Sequence, residues 1–302
     1  MDSTIAWEWY RSLLAVLDEG SLSGAARALG LTQPTVGRHM AALEAALGQA
    51  LFTRSPGGLL ATDAARALRP YAEAMQSSAA ALERVARSPG RDAAGRVRGV
   101  VRVTASEVVG VEVLPPLLTA LRTQHPELTV ELVLSNRVQD LLRREADIAV
   151  RMTPPQQDQL VARRVGAIEL GLHAHADYLA RHGAPGSVEA LAAHALIGFD
   201  QPTDYLRRMA RQLPGLQRER FALRTDSDLA QLALIRAGAG LGMCQVPLAR
   251  RDPALRRVLP EHFQLALETW VTLHEDLRDS PPCRVTLDAL VQGLGRYLET
   301  DP

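Results

Sequence analysis

The chain has 302 residues, enough for two or three domains, and 47% of them are hydrophobic, which is ample for globular cores. Its formal net charge is zero, and all 34 of its basic residues are arginine. This composition excludes lysine-dependent chemistry such as a Schiff base or a P-loop lysine, and no apolar run approaches the roughly 18 residues that a membrane span needs.

The first predicted element is an amphipathic helix over residues 5–19, IAWEWYRSLLAVLDE. Its apolar side carries Trp9, Leu13, Val16 and Leu17, which we expect to pack beneath the helices that follow. The acidic and aromatic N-terminus lacks the basic segment and apolar run of a signal peptide. We therefore expect a cytoplasmic protein.

Residues 21–62 predict a short helix, a tight turn, a second helix and a hairpin wing, which is the layout of a winged helix-turn-helix. Ser23 is the predicted N-cap of the first helix and Gly30 its C-terminal cap. Thr32 is predicted to cap the second helix. Pro34 is tolerated in its first turn because N–H groups there have no intrahelical acceptor.

The second helix has two different faces. One is an apolar stripe for packing on the domain, formed by Val36, Met40, Leu43 and Leu47. The other carries small or hydrogen-bonding groups near the helix N-terminus, where the dipole also favours a phosphate: Gln33, Thr35, Gly37 and Arg38. In the hairpin LFTRSPGGLLAT, Arg54 lies on the first arm. Spacing alone favours DNA binding over a structural helix pair.

The stretch GSLSGAARALGLTQPTVGRHMAALEAALGQALFTR resembles the N-terminal signature of LysR-type transcriptional regulators, and the resemblance covers almost every signature position. The resemblance implies that the following residues contact double-stranded DNA: Ser23, Thr32, Gln33, Pro34, Thr35, Gly37 and Arg38, together with Arg54 on the wing. The family usually has Ser where this chain has Gly37. A hydroxyl that reaches a phosphate is then missing, so we expect affinity or site preference to differ.

A long helix is predicted from Asp63 to about Arg87, with Thr62 as its capping hydroxyl. A loose heptad seam is formed by Leu68, Met75 and Leu82, with Tyr71, Ser78 and Val85 offset by three. A helix of about 26 residues extends about 39 Å and needs a partner. We predict homodimerisation through it, in preference to packing on its own chain, and the resemblance implies a dimer of dimers.

The segment SPGRDAAGRVRG, residues 88–99, is the predicted domain boundary because Pro, Gly and charges replace the apolar period. Beyond it, VRVTAS, TVELVLS and DIAVRM are predicted buried strands, with helices at about 110–124 and 136–146 between them. This β-α-β-α-β run implies a largely parallel sheet.

The remaining chain continues to alternate between strands and helices. The predicted strands are LVARRVG, IELGLHAH, ALIGF, RFALRT and ETWVTLHE. Helices are predicted near 176–182, 188–194 and 204–212 and within PPCRVTLDALVQGLGRYLE, and the segment DSDLAQLALIRAGAGLGMCQVP is predicted to hold a helix ended by glycines and a further strand. The count fits two α/β lobes, one of residues 97–165 plus 270–302 and the other of residues 168–268.

The patterns LPPLLTALRTQHPELTVEL, ADIAVR and AGAGLG resemble the effector-binding half of the same regulators, which has the fold of periplasmic solute-binding proteins. The predicted fold class is therefore α/β with an all-α N-terminal part. We expect a winged helix-turn-helix domain at 1–62, a linker helix at 63–90 and a two-lobed effector domain at 91–302.

In open α/β lobes, ligands bind beyond the carboxyl ends of strands, near helix N-termini. Polar residues at four predicted strand ends are the candidate effector-binding groups: Ser106 and Glu107, Ser135 and Asn136, Gln201, and Thr225 and Ser227. A simple helix cap is the alternative for each hydroxyl. Arg151 is the nearest cation, with a solvated arginine as the equal alternative. The resemblance suggests a small or aromatic carboxylate as effector.

Other chemical signals are weak. Cys244 and Cys283 stand alone, which favours two buried thiols over a disulfide framework, a zinc site or a redox pair. His173 and His175 share one face of a strand but have no third metal ligand. We therefore predict no catalytic residue, no metal and no cofactor.

The predicted function is transcription regulation by a homo-oligomer that binds promoter DNA and a small effector, with RNA polymerase as a further candidate partner. Two alternatives remain. A transport solute-binding protein would need a secretion signal and has no use for residues 1–62, and an enzyme on the α/β lobes would need a catalytic constellation.

Overall fold

The computed structural model describes residues 5–55, 58–87, 90–92, 94–136, 146–155, 160–201, 207–209, 211, 213 and 215–299. The described residues fall into two compact units. One lies within residues 1–86 and the other within residues 87–302.

The first unit is a small helical domain with a two-stranded hairpin. Its elements in chain order are α1 (Trp7–Glu19), α2 (Leu22–Leu29), α3 (Gln33–Leu47), β1 (Phe52–Ser55), β2 (Gly58–Ala61) and α4 (Asp63–Arg87). The hairpin is antiparallel, with Phe52 opposite Ala61. Leu13 of α1, Val36 of α3 and Leu51 are fully buried in one core. The predicted helix-turn-helix and wing are confirmed.

The long helix α4 begins where the sequence predicts. The Thr62 hydroxyl accepts a hydrogen bond from the Ala65 N–H at 3.3 Å and donates to the Leu51 carbonyl at 3.1 Å, so one side chain caps the helix and ties it to the wing. Ala65 is buried in the first unit's core, and Leu68 packs against that core. The first two turns of α4 therefore pack on their own chain, and the predicted need for a partner applies to the helix beyond them.

The second unit is built on a mixed sheet. Its elements up to the middle of the chain are β3 (Gly90–Arg91), β4 (Val97–Ala105), a π-helical turn (Val109–Val113), α5 (Leu114–Gln124), β5 (Leu128–Leu134), β6 (Ile148–Arg151), β7 (Leu160–His175) and α6 (Ala176–His182). The remaining elements are β8 (Leu196–Gly198), β9 (Phe221–Arg224), α7 (Asp228–Arg236), β10 (Gly242–Gln245), α8 (Val246–Ala249), β11 (Leu255–Arg257), β12 (Leu265–His274) and α9 (Pro281–Glu299).

The described strands of the large sheet follow the order β10-β7-β12-β6-β4-β3, with β11 also paired to β7 and β5 to β4. The β-α-β-α-β run gives parallel pairs, as predicted, between β4 and β5 and between β4 and β6. The pairs of β7 with β10, β11 and β12, and of β12 with β6, are antiparallel. A largely parallel sheet is therefore correct only for the first part of the unit.

Strand β7 is a single element of 16 residues, whereas the sequence predicted two strands, LVARRVG and IELGLHAH. The reason is its partner β12, which pairs with β7 from Leu160 to Leu170. The ladder therefore continues past Gly166, the last residue of the first predicted strand. The register shifts between Thr269 and Trp270, opposite Gly166, whose φ of 156° a side chain rarely adopts.

The core of the second unit has two clusters of buried side chains. One is centred on β4, β6, α5 and α9 and includes Val103 and Leu290. The other surrounds Tyr178 and Phe263. Strand β7 contributes Ile168 to the first cluster and Leu172 to the second, so it runs through both. The first cluster also includes Ile197 and Leu232 from the predicted second lobe, so the two clusters do not coincide with the two predicted lobes.

The predicted helices differ from the structure at their ends. The helix predicted over 110–124 starts as a π-helical turn and becomes α-helical at Leu114. The helix predicted over 188–194 is a 3-10 helix, Glu189–Ala193. Most of the helix predicted over 136–146 lies outside the described residues, and of the one over 204–212 only residues 207–209 and 211 are described, the first three of them helical.

Candidate functional site

Three local features set where α2 begins, where it ends and where α3 begins. Ser21, not Ser23, is the N-cap of α2: its hydroxyl accepts from the Gly24 N–H at 3.0 Å. The prediction for Ser23 was wrong by two residues because both serines are good caps and only the backbone conformation selects one; Ser23 itself is exposed on α2. Gly30 ends α2 at φ 65°, and Thr32 caps α3 by accepting from the Thr35 N–H, both as predicted.

The apolar stripe of α3 faces the core of the first unit, and the first turns of the helix are exposed on the opposite side. Val36 and Leu43 are fully buried and Met40 nearly so. On the other side Gln33, Pro34 and Arg38 are exposed, and Thr32 lies with them, while Thr35 and Gly37 are half-buried. The predicted DNA-facing residues of α3 are therefore brought to one end of one helix face.

Hydroxyl groups organise this exposed end. The Thr32 and Thr35 hydroxyls are 2.8 Å apart, and the Arg38 guanidinium donates to the Thr35 hydroxyl at 3.5 Å, a long hydrogen bond. These contacts hold the Arg38 side chain along the first turn. Guanidinium and hydroxyl groups are the donors that phosphate oxygens and base edges accept.

Two further contacts, which sequence reasoning missed, set the position of α3 and the wing. The Ser12 hydroxyl of α1, fully buried, lies 2.8 Å from Nδ1 of His39 on α3. The Glu44 carboxylate accepts from the N–H groups of Leu51 and Phe52 at 2.7 and 3.2 Å, so it joins the end of α3 to the start of β1. The available sequence signal was Glu44 itself, a single charged residue in an alanine-rich part of α3.

The wing is anchored at its other strand as well. The Leu59 N–H donates to the Gly20 carbonyl at the end of α1, at 3.1 Å. Arg54 lies on β1 with its backbone opposite Leu59, and its side chain lies outside the described part of the chain.

In the second unit, the predicted strand-end residues come together in a hydrogen-bonded group. The Glu107 N–H, after β4, donates to the Asn136 side-chain oxygen, after β5, at 3.1 Å. The Ser227 hydroxyl, before α7, lies 3.5 Å from the Glu107 carboxylate. Ser106 and Ser135 precede two of these residues, and the Ser135 N–H donates to the Ala105 carbonyl. Three of the four predicted strand ends thus meet at one edge.

Gln201 and Thr225 belong to the neighbouring loops. The Asp226 carboxylate accepts from the N–H groups of Asp200 and Gln201 at 3.0 and 2.8 Å, which fixes the strand end after β8 against the start of α7. The Thr225 hydroxyl accepts from the Ser227 N–H at 3.3 Å, and the Ser227 hydroxyl caps α7 by accepting from the Ala230 N–H. The alternative of a simple cap is correct for Ser227, which also contacts Glu107.

Asp228 is the main residue of this group that the sequence analysis missed. Its carboxylate accepts from the Asn136 amide at 3.0 Å. Burial and the nearby Glu107 carboxylate raise the pKa of Asp228 to about 6, although the Asn136 hydrogen bond lowers it. The signal was available in the repeated acidic residues of TDSD, directly before a helix.

Arg151, the predicted cation of this site, lies elsewhere. Its side chain is buried, with 4% exposure, and donates to the Thr104 hydroxyl at 2.8 Å and to the Val150 carbonyl at 3.0 Å. The strand pattern DIAVR places an arginine at a strand end but does not say which face it takes, and here it is the interior face.

The other groups considered at the sequence level have local structural roles. Cys244 and Cys283 are both buried free thiols, as predicted, and burial raises the pKa of Cys244 to about 12. Nδ1 of His173 lies 2.8 Å from the Gly171 carbonyl, and Nδ1 of His175 accepts from the Asp177 N–H to cap α6. Within the described ranges, no three His, Cys, Asp or Glu residues are grouped to hold a metal ion.

None of the described helices is both long enough and apolar enough to cross a bilayer.

Both units match known protein families. Residues 7–66 match the family of bacterial regulatory helix-turn-helix proteins of the lysR type, and residues 94–295 match the LysR substrate binding domain. The second match alone covers more than half of the chain.

Individual relatives align over nearly the whole chain. The HTH-type transcriptional regulator CrgA of Neisseria meningitidis serogroup C is 29% identical over 297 residues, which are 94% of this chain and 95% of that protein. The Mau operon transcriptional activator of Paracoccus denitrificans is 30% identical over 282 residues, 92% of this chain and 93% of that protein.

Solved structures agree with this fold. The structure of CrgA, a LysR-type transcriptional regulator from Neisseria meningitidis, has a TM-score of 0.59 at 25% identity and covers 95% of this chain and 98% of that one. Full-length CbnR complexed with its target DNA has a TM-score of 0.65 at 23% identity and covers 97% and 99%, a likeness of fold alone. The chain therefore belongs to the LysR-type transcriptional regulators, which combine a DNA-binding helix-turn-helix with an effector-binding domain.

Proposed function

We propose that the exposed first turns of α3 enter the major groove of promoter DNA and that Arg38 is a principal contact there. The observation that carries this proposal is that Gln33 and Arg38 are exposed while Val36 and Leu43, on the opposite side of α3, are fully buried. Pro34, Thr35, Gly37 and Thr32 share that end of the helix, Ser23 lies exposed on α2, and Arg54 is the proposed wing contact.

Arg38→Ala tests this role. Loss of one phosphate contact should weaken binding to a duplex covering the promoter beside the protein's own gene, and should reduce the slope of log affinity against log salt by about one per contact. The measurement is a titration at several salt concentrations by fluorescence anisotropy.

The matched control is Arg163→Ala, which removes an exposed arginine of the second unit, paired with Asp288 at 3.4 Å. This variant should keep both the affinity and the salt slope of the unaltered protein. An Arg38→Ala variant with an unchanged slope would contradict the proposed contact.

We propose a homodimer formed through α4, with a dimer of dimers as the larger assembly. Beyond its first two turns, the described side chains of α4 include three large exposed apolar ones, Tyr71 at 73%, Met75 at 41% and Leu82 at 73% exposure. Leu82 and Met75 are seven residues apart, as a helix seam requires. Two helix-turn-helix units held in this way suit a site with two half-sites about one DNA turn apart.

We propose that the chain consists of a DNA-binding domain at 1–62, a linker helix at 63–90 and an effector domain at 91–302. The effector domain is proposed to have two lobes, one of residues 97–165 plus 270–302 and the other of residues 168–268. We propose that the effector binds between these lobes. Ser106, Glu107, Ser135, Asn136, Gln201, Thr225 and Ser227 are the proposed lining residues. Their support is the hydrogen-bonded convergence of strand ends, the usual ligand position in open α/β sheets. Arg151 is left out because its guanidinium lies inside the sheet.

We further infer that the protein acts by binding alone, without catalysis, and that it acts in the cytoplasm, where bacterial promoter DNA is. The support is family membership: the relatives with printed functions are regulators of transcription. Contact with RNA polymerase would follow if the protein activates transcription.

A further inference from the structure

Helix α7 contacts the segment 107–113 at both of its ends, and the two contacts have opposite electrostatic character. At its C-terminal end Arg236 meets Glu112. At its N-terminal end Asp228 and Ser227 meet Asn136 and Glu107. In the proposed division Glu107, Glu112 and Asn136 belong to one lobe and α7 to the other, so α7 spans the joint between lobes.

The C-terminal contact is a two-pronged ion pair. The two Nη atoms of Arg236 donate to the two carboxylate oxygens of Glu112 at 2.7 and 2.9 Å, and Asp252 lies 3.7 Å from Nε. These hydrogen bonds raise the pKa of Arg236 and lower that of Glu112. Both groups stay charged across the physiological range, so this contact does not change with pH.

The N-terminal contact brings two carboxylates together instead. The Asn136 side chain links the two residues: its oxygen accepts from the Glu107 backbone N–H at 3.1 Å, and its amide donates to the Asp228 carboxylate at 3.0 Å. The Ser227 hydroxyl, 3.5 Å from the Glu107 carboxylate, adds a second link across the joint. Two neighbouring anionic groups that are both partly buried repel each other, and this repulsion falls when one of them takes a proton.

The surroundings do not neutralise this pair within the described part of the chain. The Asp226 carboxylate, on the loop before α7, is occupied by two backbone N–H groups, and Arg218 is paired with Asp200 at 2.6 Å. None of the described cationic side chains forms an ion pair with Glu107 or Asp228. The N-terminus of α7 favours an anion at Asp228, but burial and Glu107 outweigh it.

We propose that closure of the two lobes along α7 is proton-linked: the Glu107–Asp228 pair binds a proton when the joint is closed, and its ionisation favours opening, while the Arg236–Glu112 pair acts as the fixed end. The effector domain would then respond to pH as well as to its ligand. The inference rests on the proposed two-lobed effector domain and deepens it, but it needs neither the identity of the effector nor DNA binding.

The sign follows from the difference between the closed and open arrangements. In the closed arrangement the pKa of Asp228 is about 6, whereas an open joint returns it towards its ordinary 3.8. The closed arrangement therefore binds more protons between these values and gains stability as pH falls through 6. With these two pKa values, the ratio of closed to open molecules is about tenfold larger at pH 5 than at pH 8.

Amide hydrogen exchange of the full chain, without effector or DNA, tests this proposal. The reporters are amides on the two facing turns, including Gly110, bonded to the Ser106 carbonyl, and Gln231, bonded to the Ser227 carbonyl. After division by the intrinsic exchange rate at each pH, protection in the unaltered protein should rise about tenfold from pH 8 to pH 5.

Asp228→Asn should abolish this rise, because the group that takes the proton is removed. As a second variant, Glu107→Gln should reduce the rise without abolishing it, because burial still raises the pKa of Asp228. Glu112→Gln is the matched control: it weakens the fixed ion pair, so protection should fall at every pH while the tenfold rise is kept. A flat profile in the unaltered protein, or the full rise in Asp228→Asn, would overturn the proposal. Failure of a ligand to bind the cleft would instead count against the proposed effector site and leave this profile unchanged.

Discussion

Gly37 and Gly30 show how two glycines of the DNA-binding unit differ in what they require. A Cβ on Gly37 would meet only Leu22 Cδ1, at 3.9 Å, which is ordinary contact. Gly30 also has open space around it, but its φ of 65° is a left-handed conformation that other residues rarely adopt. Packing therefore does not require glycine at position 37, whereas backbone conformation does at position 30.

Gly37→Ala should stabilise the first unit by about 1 kcal/mol, because alanine is the better helix former and the site has room. Gly30→Ala should destabilise it by about 1 kcal/mol through the left-handed backbone. Denaturant unfolding followed by the fluorescence of Trp7 and Trp9, both in α1, measures the two changes. Destabilisation of similar size in both variants would show that Gly37 is required for a reason other than helix propensity.

At the scale of elements, α3 is held from three directions. Its buried stripe packs on the core, His39 contacts the buried Ser12 hydroxyl, and Glu44 binds the first N–H groups of β1. A helix that presents side chains to base edges must be held in one orientation, because a small rotation of the helix would misplace those side chains. If α3 contacts DNA as proposed, the contacts at Ser12 and Glu44 support that function by fixing the helix, although neither residue faces its exposed end.

Helix α4 has an apolar surface without a partner in the described part of one chain. Leu82→Glu should place a charge on the proposed helix seam and shift the assembly from dimer towards monomer, raising the dimer dissociation constant at least tenfold. Sedimentation velocity over a range of protein concentrations measures the effect.

The control for this variant is Gln76→Glu, which adds the same charge at an exposed position of α4 next to the seam residue Met75. It should leave the dissociation constant nearly unchanged. Equal effects of the two charges would indicate that the whole helix, or none of it, is the interface.

At the scale of the whole molecule, the large sheet of the second unit is built around two long antiparallel strands, β7 and β12. β7 and β12 each contribute to both buried clusters, and the register shift at Thr269 lies where the sequence placed the passage between lobes. A ligand in the cleft changes function only if it binds one lobe arrangement better than another. In the proposed two-lobed domain, the strands would form the joint, and α7 would provide the contacts on which a ligand or a proton acts.

Thr225→Val should lower the affinity for any small molecule that raises the melting temperature of the unaltered protein, by about five- to tenfold if the hydroxyl contributes one hydrogen bond. Thermal-shift titration with hits from a screen of small acids measures this change. Thr123→Val, an exposed threonine on α5, is the control and should keep the full shift. An unchanged affinity in Thr225→Val would remove the residue from the proposed site.

Short-range signals were enough for the helix-turn-helix. Caps, glycine ends and a buried stripe depend on residues a few positions apart, so Thr32, Gly30, Val36 and the start of α4 at Asp63 were predicted correctly. The one local error, Ser23 in place of Ser21, arose because two equivalent capping residues lie two positions apart and backbone geometry chooses between them.

Features made by contacts between distant residues needed the folded chain. The continuity of β7 depends on β12, a hundred residues later, and the buried position of Arg151 depends on Thr104 of the neighbouring strand. The importance of Asp228 arises from Asn136 and Glu107, each about a hundred residues away in sequence. Periodicity reports which residues are apolar along one element, but burial and charge pairing are set by whichever element packs against it.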